Sequence, residues 1–209
     1  MSKYEKIFDE FLGTLNTPKL LFTLKDLESL KIPRSSLYRI LKKKKEEKVI
    51  GSDIRGYYYK LKLALGKYWV GAGMGEYITD ITKWDTEQPE GYITGYKVFS
   101  GFNLTTQNSA IYKIAMNRKK KNFVLNGVRV EFVKTKAPIT KENVRLLMIL
   151  DCIQEWNNIM DSKEKSLIRI LGGKVQNSTE FEKQRIVELS KHYKKETRER
   201  LEMLMEIKL

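Results

Sequence analysis

Few residues in this chain could support covalent or metal-assisted chemistry. Its one histidine, His192, stands among Lys191, Lys194 and Lys195, and its one cysteine, Cys152, sits in the apolar run LLMILDCI. Neither a zinc site nor a nucleophilic triad can be assembled from standard ligands around one His and one distant Cys. Cys152 is expected to be a buried core thiol, and His192 a surface or helix-packing residue of the last helix. Gly71-Ala72-Gly73-Met74-Gly75 lacks the GK[ST] ending of a phosphate-binding loop and does not fit the dinucleotide spacing, so a connector or strand edge is expected there. Asp80, Asp85, Glu87 and Glu90 are scattered acids with nothing to fix them as a metal site. No spaced Asp pair follows Gly51-Ser52-Asp53, which fits a turn. Trp69, Trp84 and Trp156 are separate, and core or interface packing explains each. The expectation is a protein that is not an enzyme and takes no metal and no cofactor.

What remains is ion pairing with a polyanion. The chain has 40 Lys+Arg against 26 Asp+Glu, a net charge of +14, and the excess is gathered in two blocks. Residues 31–60 hold ten Lys/Arg against three Asp/Glu, a net of +7, while the thirty residues before them come to −1. Residues 113–145 hold ten against two, a net of +8. Charge spread for solubility would be more even; two concentrated blocks suggest a polyanionic partner.

A hydrophobic share of 41% with 11% aromatics argues against disorder, and 209 residues suffice for one large or two small cores. No apolar run approaches the roughly 20 residues of a membrane span, and the N-terminus MSKYEKIFDEF lacks a signal-peptide core. A lone cysteine excludes an internal disulfide and fits a reducing compartment. A cytoplasmic protein without membrane contact is expected.

The elements that must position the first block can be read from periodicity and caps. Ile7, Phe8, Phe11, Leu12 and Leu15 form a helical stripe over Tyr4 to Leu15. Thr23 with Asp26 is a capping-box variant opening a short helix through Leu30. Lys31-Ile32-Pro33 makes a turn, because Pro33 disfavours helix at Ile32. Ser35 or Ser36 can cap the next helix, whose buried stripe is Leu37, Ile40 and Leu41. Lys44 falls where that stripe would next want a leucine, and Lys48 where glycine often ends a helix; a snorkelling stem would accommodate Lys44. Val49-Ile50, a turn at 51–53 and Arg55 to Tyr59 read as two short strands, a wing. This order is that of a winged helix-turn-helix, with the alternative of a solvated basic helix.

In a helix-turn-helix the recognition helix sends its first turns to base edges and its flanks to phosphates. Those first turns hold Arg34, Ser35, Ser36, Tyr38 and Arg39, where Arg can pair bidentately with guanine. Lys42, Lys43 and Lys45 lie further along and suit phosphate contact. Arg55, Tyr57 and Lys60 on the wing could touch the backbone or the minor groove.

After a glycine-rich connector at 63–75, the second half is mixed. Tyr92-Ile93 reads as a strand leading into a helix that ends near Phe102. Ala110 to Met116 and Val128 to Val133 read as strands joined across Asn126-Gly127. Thr140 caps a helix to about Trp156, a further helix ends at Gly172-Gly173, and Thr179 with Glu182 caps a last helix reaching almost to Leu209. The second basic block, Lys113, Arg118, Lys119, Lys120, Lys121 and Arg129, falls around a hairpin loop that is either simply solvated or a second surface for DNA or RNA. The fold class expected is α+β: a winged helix-turn-helix at 1–62, then a mixed α+β domain at 76–209 ending in helices.

With these residues placed, the chain resembles the AbiEi-type antitoxin and transcriptional regulator family of bacterial type IV toxin–antitoxin, or abortive infection, systems. FTLKDLESLKIPRSSLYRILKKKKEEKVI followed by RGYYYK is similar to that family's winged helix and wing. GYITGYKVFSGFNLTTQNSAIYKIAMN resembles its segment in which a short helix ends in a "GLTTQ" turn, with Asn103 near the family's glycine. GVRVEFVKTKAPITKENVRLLMILDCI is similar to its strand, Pro-Ile-Thr turn and apolar helix. HYKKETRERLEMLME resembles the closing helix, with Lys194-Lys195 in place of prolines and without the late glycine. The resemblance implies a repressor of its own operon, binding double-stranded operator DNA at paired, inverted half-sites. It also implies an antitoxin that counters a nucleotidyltransferase-like toxin without a tight complex. A stand-alone regulator, or an RNA- or protein-binding protein with a winged-helix docking module, is the alternative.

Overall fold

Ser2 Oγ accepts from the backbone N–H of Glu5, and the Glu5 carboxylate accepts from the N–H of Ser2. This reciprocal cap opens helix α1, Lys3–Thr14. Strand β1, Leu21–Thr23, ends at a second local device, in which Asp26 Oδ2 accepts from both N and Oγ1 of Thr23 at 2.7 Å. A 3-10 helix, Asp26–Leu30, follows and closes on Lys31 in the left-handed region, φ 51°. Helix α2 then spans Arg34–Glu46. Its N-cap is Pro33, with φ −54°, and no side chain caps it. Ser35 and Ser36 therefore lie inside the first turn instead of capping it, because proline's preset φ starts the helix earlier. Strands β2, Ile50–Gly51, and β3, Tyr57–Lys60, complete an antiparallel three-stranded sheet of order β1-β3-β2. A Cβ at Gly51 would lie 2.3 Å from the Tyr59 ring, so any larger residue there would push that ring aside.

The structure is a computed structural model and describes residues 2–15, 20–64, 68–70, 73–107, 109–118, 120–125, 127–159 and 163–207. The chain is mixed α+β and divides into two units, Met1–Asp80 and Ile81–Leu209. The core of the first gathers Phe8 and Leu12 of α1, Phe22 of β1, Leu27, Leu37, Ile40 and Leu41 of α2, and Ile50 of β2. In the glycine-rich stretch 63–75, residues 65–67, Gly71 and Ala72 lie outside the described residues. Around it, β4, Lys62–Ala64, and β5, Tyr68–Val70, pair antiparallel, and helix α3, Met74–Thr82, follows.

The second unit holds β6, Gly91–Thr94, α4, Tyr96–Gly101, β7, Ile111–Met116, β8, Phe123–Leu125, and β9, Val128–Lys134. Its sheet has the order β6-β7-β9-β8, with β7 and β9 parallel and the other pairs antiparallel. This corrects the expectation that 110–116 and 128–133 are joined by one hairpin. The turn with Gly127 at φ 76° joins β8 to β9, Asn126 lying outside the described residues. β7 reaches β8 by a connection past β9, a pairing that local turn signals do not report.

Thr140 caps helix α5, Lys141–Gln154, by accepting from Asn143 N. After a 3-10 turn at Trp156–Asn158 come α6, Glu164–Gln176, α7, Glu180–Ser190, and α8, Lys195–Glu206. Helix α5 packs against α7 and α8, and α6 against α8. Two expectations are corrected here. Helix α6 runs through Gly172-Gly173, because burial of Leu171, Gly172 and Val175 outweighs a glycine penalty of about 1 kcal/mol per residue. The last helix is two helices, broken at 191–194 by a turn in which Tyr193 enters the core, 6% exposed. His192 is exposed in that turn, not on a helix. Cys152 is fully buried and burial pushes its thiol well up. Trp156 is buried, whereas Trp84 is 53% exposed.

Candidate nucleic-acid interface

A helix with 3.6 residues per turn separates α2 into two faces. Leu37, Ile40 and Leu41 are buried against the first unit's core. Lys44 shares that face: its side chain is 11% exposed, and Nζ lies 2.6 Å from Asp9 Oδ1 on α1. The lysine thus fills the place of the missing leucine, its stem at the core edge and its charge answered across helices. Lys48 ends the segment at φ 55°, in the left-handed conformation for which glycine is usual. The opposite face carries Ser35, Tyr38, Arg39, Lys42 and Glu46, all exposed, with Arg34 and Lys45 along its edges. Ser36 is half-buried.

Not every expected contact residue belongs to this face. Lys43 Nζ donates to Glu5 Oε1 on α1 at 2.6 Å and lies 3.9 Å from Glu47. Lys60 Nζ donates to the carbonyl oxygens of Leu12 and Leu15 at 2.8 and 3.1 Å, satisfying the C-terminal end of α1. Tyr57 packs on Tyr77, ring centroids 5.9 Å apart. Tyr59 donates to Asp53 at 3.2 Å, and burial followed by that carboxylate raises its phenol to about 12. Arg55 is exposed in the β2–β3 turn, beside Gly56 at φ 87°. The structure therefore brings Arg34, Ser35, Tyr38, Arg39, Lys42 and Lys45 together, sets Arg55 in the turn, and uses Lys43 and Lys60 to hold α1. Their partners on α1 and at its C-terminal end are 38 to 48 residues away in sequence, so no local pattern could assign them.

The Glu5–Lys43 pair makes one pH dependence testable. The Lys43 hydrogen bond, helped by the N–H of Ser2, holds the Glu5 carboxyl at about 2 against an ordinary 4.5. A depressed carboxyl contributes stability that is complete above 4.5 and is lost as pH falls toward 2. Glu5→Gln should therefore lower the urea midpoint at pH 6 and converge on the wild type near pH 2. An unchanged difference across that range would remove Glu5 as the source.

In the second basic block, Lys113 of β7 and Arg129 of β9 are exposed on one sheet face. Glu131 is the register partner of Lys113 and pairs with Arg129 at 2.9 Å. Arg118 and Lys121 are exposed and Lys120 partly exposed in the β7–β8 connection; Lys119 lies outside the described residues. This connection is a crossing between non-adjacent strands, which corrects the hairpin loop expected there.

A polar cluster in the second unit was missed by sequence reasoning. Asp151 on α5 is 8% exposed. Its Oδ2 accepts from Tyr92 OH at 3.1 Å and Thr94 Oγ1 at 2.7 Å, and its Oδ1 from Tyr193 OH at 2.9 Å. Lys136 Nζ lies 3.7 Å from Oδ1, donates to Gln154 Oε1, and stands 4.6 Å over the Tyr193 ring. Burial, followed by the neighbouring carboxylate, pushes the Tyr92 and Tyr193 phenols far above their ordinary range. The available signal was a single carboxylate within the apolar run LLMILDCI.

Among the described residues, no group of three or more His, Cys, Asp or Glu could hold a metal ion. None of their helices is long and apolar enough to cross a membrane. No family model and no curated protein matches the chain in sequence.

Proposed function

We propose that the chain is a sequence-specific DNA-binding regulator whose first unit is a winged helix-turn-helix and whose recognition helix is α2. The observation that carries this reading is the division of α2 between a buried stripe and an exposed face bearing Arg34, Ser35, Tyr38, Arg39, Lys42 and Lys45. The order α1, β1, 3-10 turn, α2, β2, β3 with sheet order β1-β3-β2 supports it. The start of the helix reads bases, and Lys42 and Lys45 meet phosphates. Arg55, in the turn of the wing, reaches the adjacent backbone or minor groove.

The wider proposal, a repressor and antitoxin of the AbiEi type, rests on the resemblance of residues 91–150 quoted above. Its toxin partner would be nucleotidyltransferase-like, antagonised without a tight complex. Co-expression with a neighbouring gene of that type tests it: growth rescue supports an antitoxin, and rescue lost on deletion of either unit assigns the activity.

DNA binding is tested by fluorescence anisotropy on the upstream region of the chain's own gene and on random duplex. Arg34→Ala should cost about 1–3 kcal/mol on the preferred site and relax specificity there, while Lys42→Ala weakens both duplexes alike and lowers the salt slope by about 1. Equal losses on both duplexes for Arg34→Ala would refute base reading at that position.

A further inference from the structure

The Asp151 cluster borders a pocket of about 190 Å³ between β6, β7, β9, α4 and the end of α5. At about 30 Å³ per water this is space for a small metabolite, not a drug-sized molecule. Its walls are Phe99, Ala115 and Val133, and three lysines, Lys113, Lys134 and Lys136, line it. The two carboxylates that also line it are already engaged. Asp151 takes three hydroxyl donors, and Glu155 accepts from Asn158 Nδ2 at 2.7 Å. Lys136 Nζ pairs with Asp151 Oδ1 at 3.7 Å, beyond direct hydrogen bonding. Burial lowers the Lys136 ammonium from its ordinary range in spite of that carboxylate, so the cation is desolvated more than it is compensated. Among the described residues neither Lys113 nor Lys134 forms an ion pair with a carboxylate. The Lys113 stem runs against Gly95, which lines the pocket at φ 69°: a Cβ there would lie 3.2 Å from Lys113 Cδ.

We propose that this pocket binds a small organic oxyanion, a carboxylate or a phosphate monoester, with Lys136 as its principal partner. Lys113, on the same sheet face as Ala115 and Val133, completes the shell, and the apolar part of the ligand rests on Phe99 and Val133. Asp151 already takes three hydroxyl donors and Lys113 has no carboxylate partner among the described residues, so an oxyanion can bridge the Lys136 and Lys113 ammonium groups.

The full chain, titrated with inorganic phosphate and separately with succinate at constant ionic strength, should show saturable amide shifts at Thr94, Gly95, Lys136 and Asn158. Lys136→Met should weaken that binding about tenfold or more. Lys113→Met, a change at an exposed side chain, should weaken it severalfold while leaving the unfolding midpoint unchanged. Response to succinate alone assigns a carboxylate ligand, and response to phosphate alone a phosphate monoester. With succinate, affinity should fall as pH rises, beginning below the ordinary lysine value of 10.5 because Lys136 loses its proton early. The proposal is overturned if shifts are confined to α2 and residues 117–121, or if both variants bind either anion as the wild type does.

Discussion

Asp151→Ala is expected to remove about 3–5 kcal/mol from the free energy of unfolding, read from guanidinium denaturation followed by circular dichroism. The carboxylate ties β6, through Tyr92 and Thr94, to α5 and to the turn between α7 and α8, through Tyr193. Its removal leaves three buried hydroxyls without their acceptor, each costing about 1–3 kcal/mol if unsatisfied, and strips Lys136 of its nearest negative charge. Entry of water and relaxation of the hydroxyls recover part of this, which is why the expected loss is below the sum. Asp151→Asn keeps one acceptor and should lose less. The partnership with Lys136 is read from a double-mutant cycle: Asp151→Ala in a Lys136→Met background should cost less than in the wild type. A loss under about 1 kcal/mol for Asp151→Ala would mean that the cluster does not hold the second unit together.

Phe22→Ala should destabilise the first unit by about 3–5 kcal/mol. Phe22 is 1% exposed, and its ring meets Phe8 and Phe11 edge-on at 6.2 and 5.4 Å and stacks on Tyr58 at 5.6 Å. It joins α1 to the sheet at the register pair Phe22–Tyr58, on the side where α2 packs. DNA affinity should fall with the folded fraction and recover at low temperature. On the proposed reading of Arg34 as a base contact, loss through Arg34→Ala should not recover on cooling. A urea midpoint unchanged by Phe22→Ala would place the core of this unit elsewhere.

How much could be read from the chain depended on the range of the interactions. The stripe Leu37, Ile40, Leu41 defined the buried face of α2, and hence its exposed face, because three residues one turn apart are enough. The devices at Thr23 and Asp26, Thr140, and Thr179 and Glu182 are local and legible for the same reason. Strand β8 spans only Phe123–Leu125, too short for alternation to register, so the parallel pairing of β7 with β9 stayed hidden. Helix α6 through Gly172-Gly173 and the break at 191–194 are set by packing, which local propensity does not contain. The candidate site divides in the same way. Lys42 and Arg39 follow from periodicity, while Lys43, Lys60 and Asp151 are committed by partners tens of residues away.

Strand β8 lies at one edge of the four-stranded sheet, and among the described residues no strand pairs with its outer side. Val124 on that strand is 63% exposed, a combination that invites edge-to-edge association between copies. The strand is only three residues long, and Lys120 and Lys121 precede it by one intervening residue, Asn122. Short length and adjacent lysines are the means by which natural sheets blunt such edges. The basic connection thus places like charge beside that edge, where two copies would have to meet. Variants that remove its charge should be compared at matched monomer content, so that lost solubility is not mistaken for a lost contact.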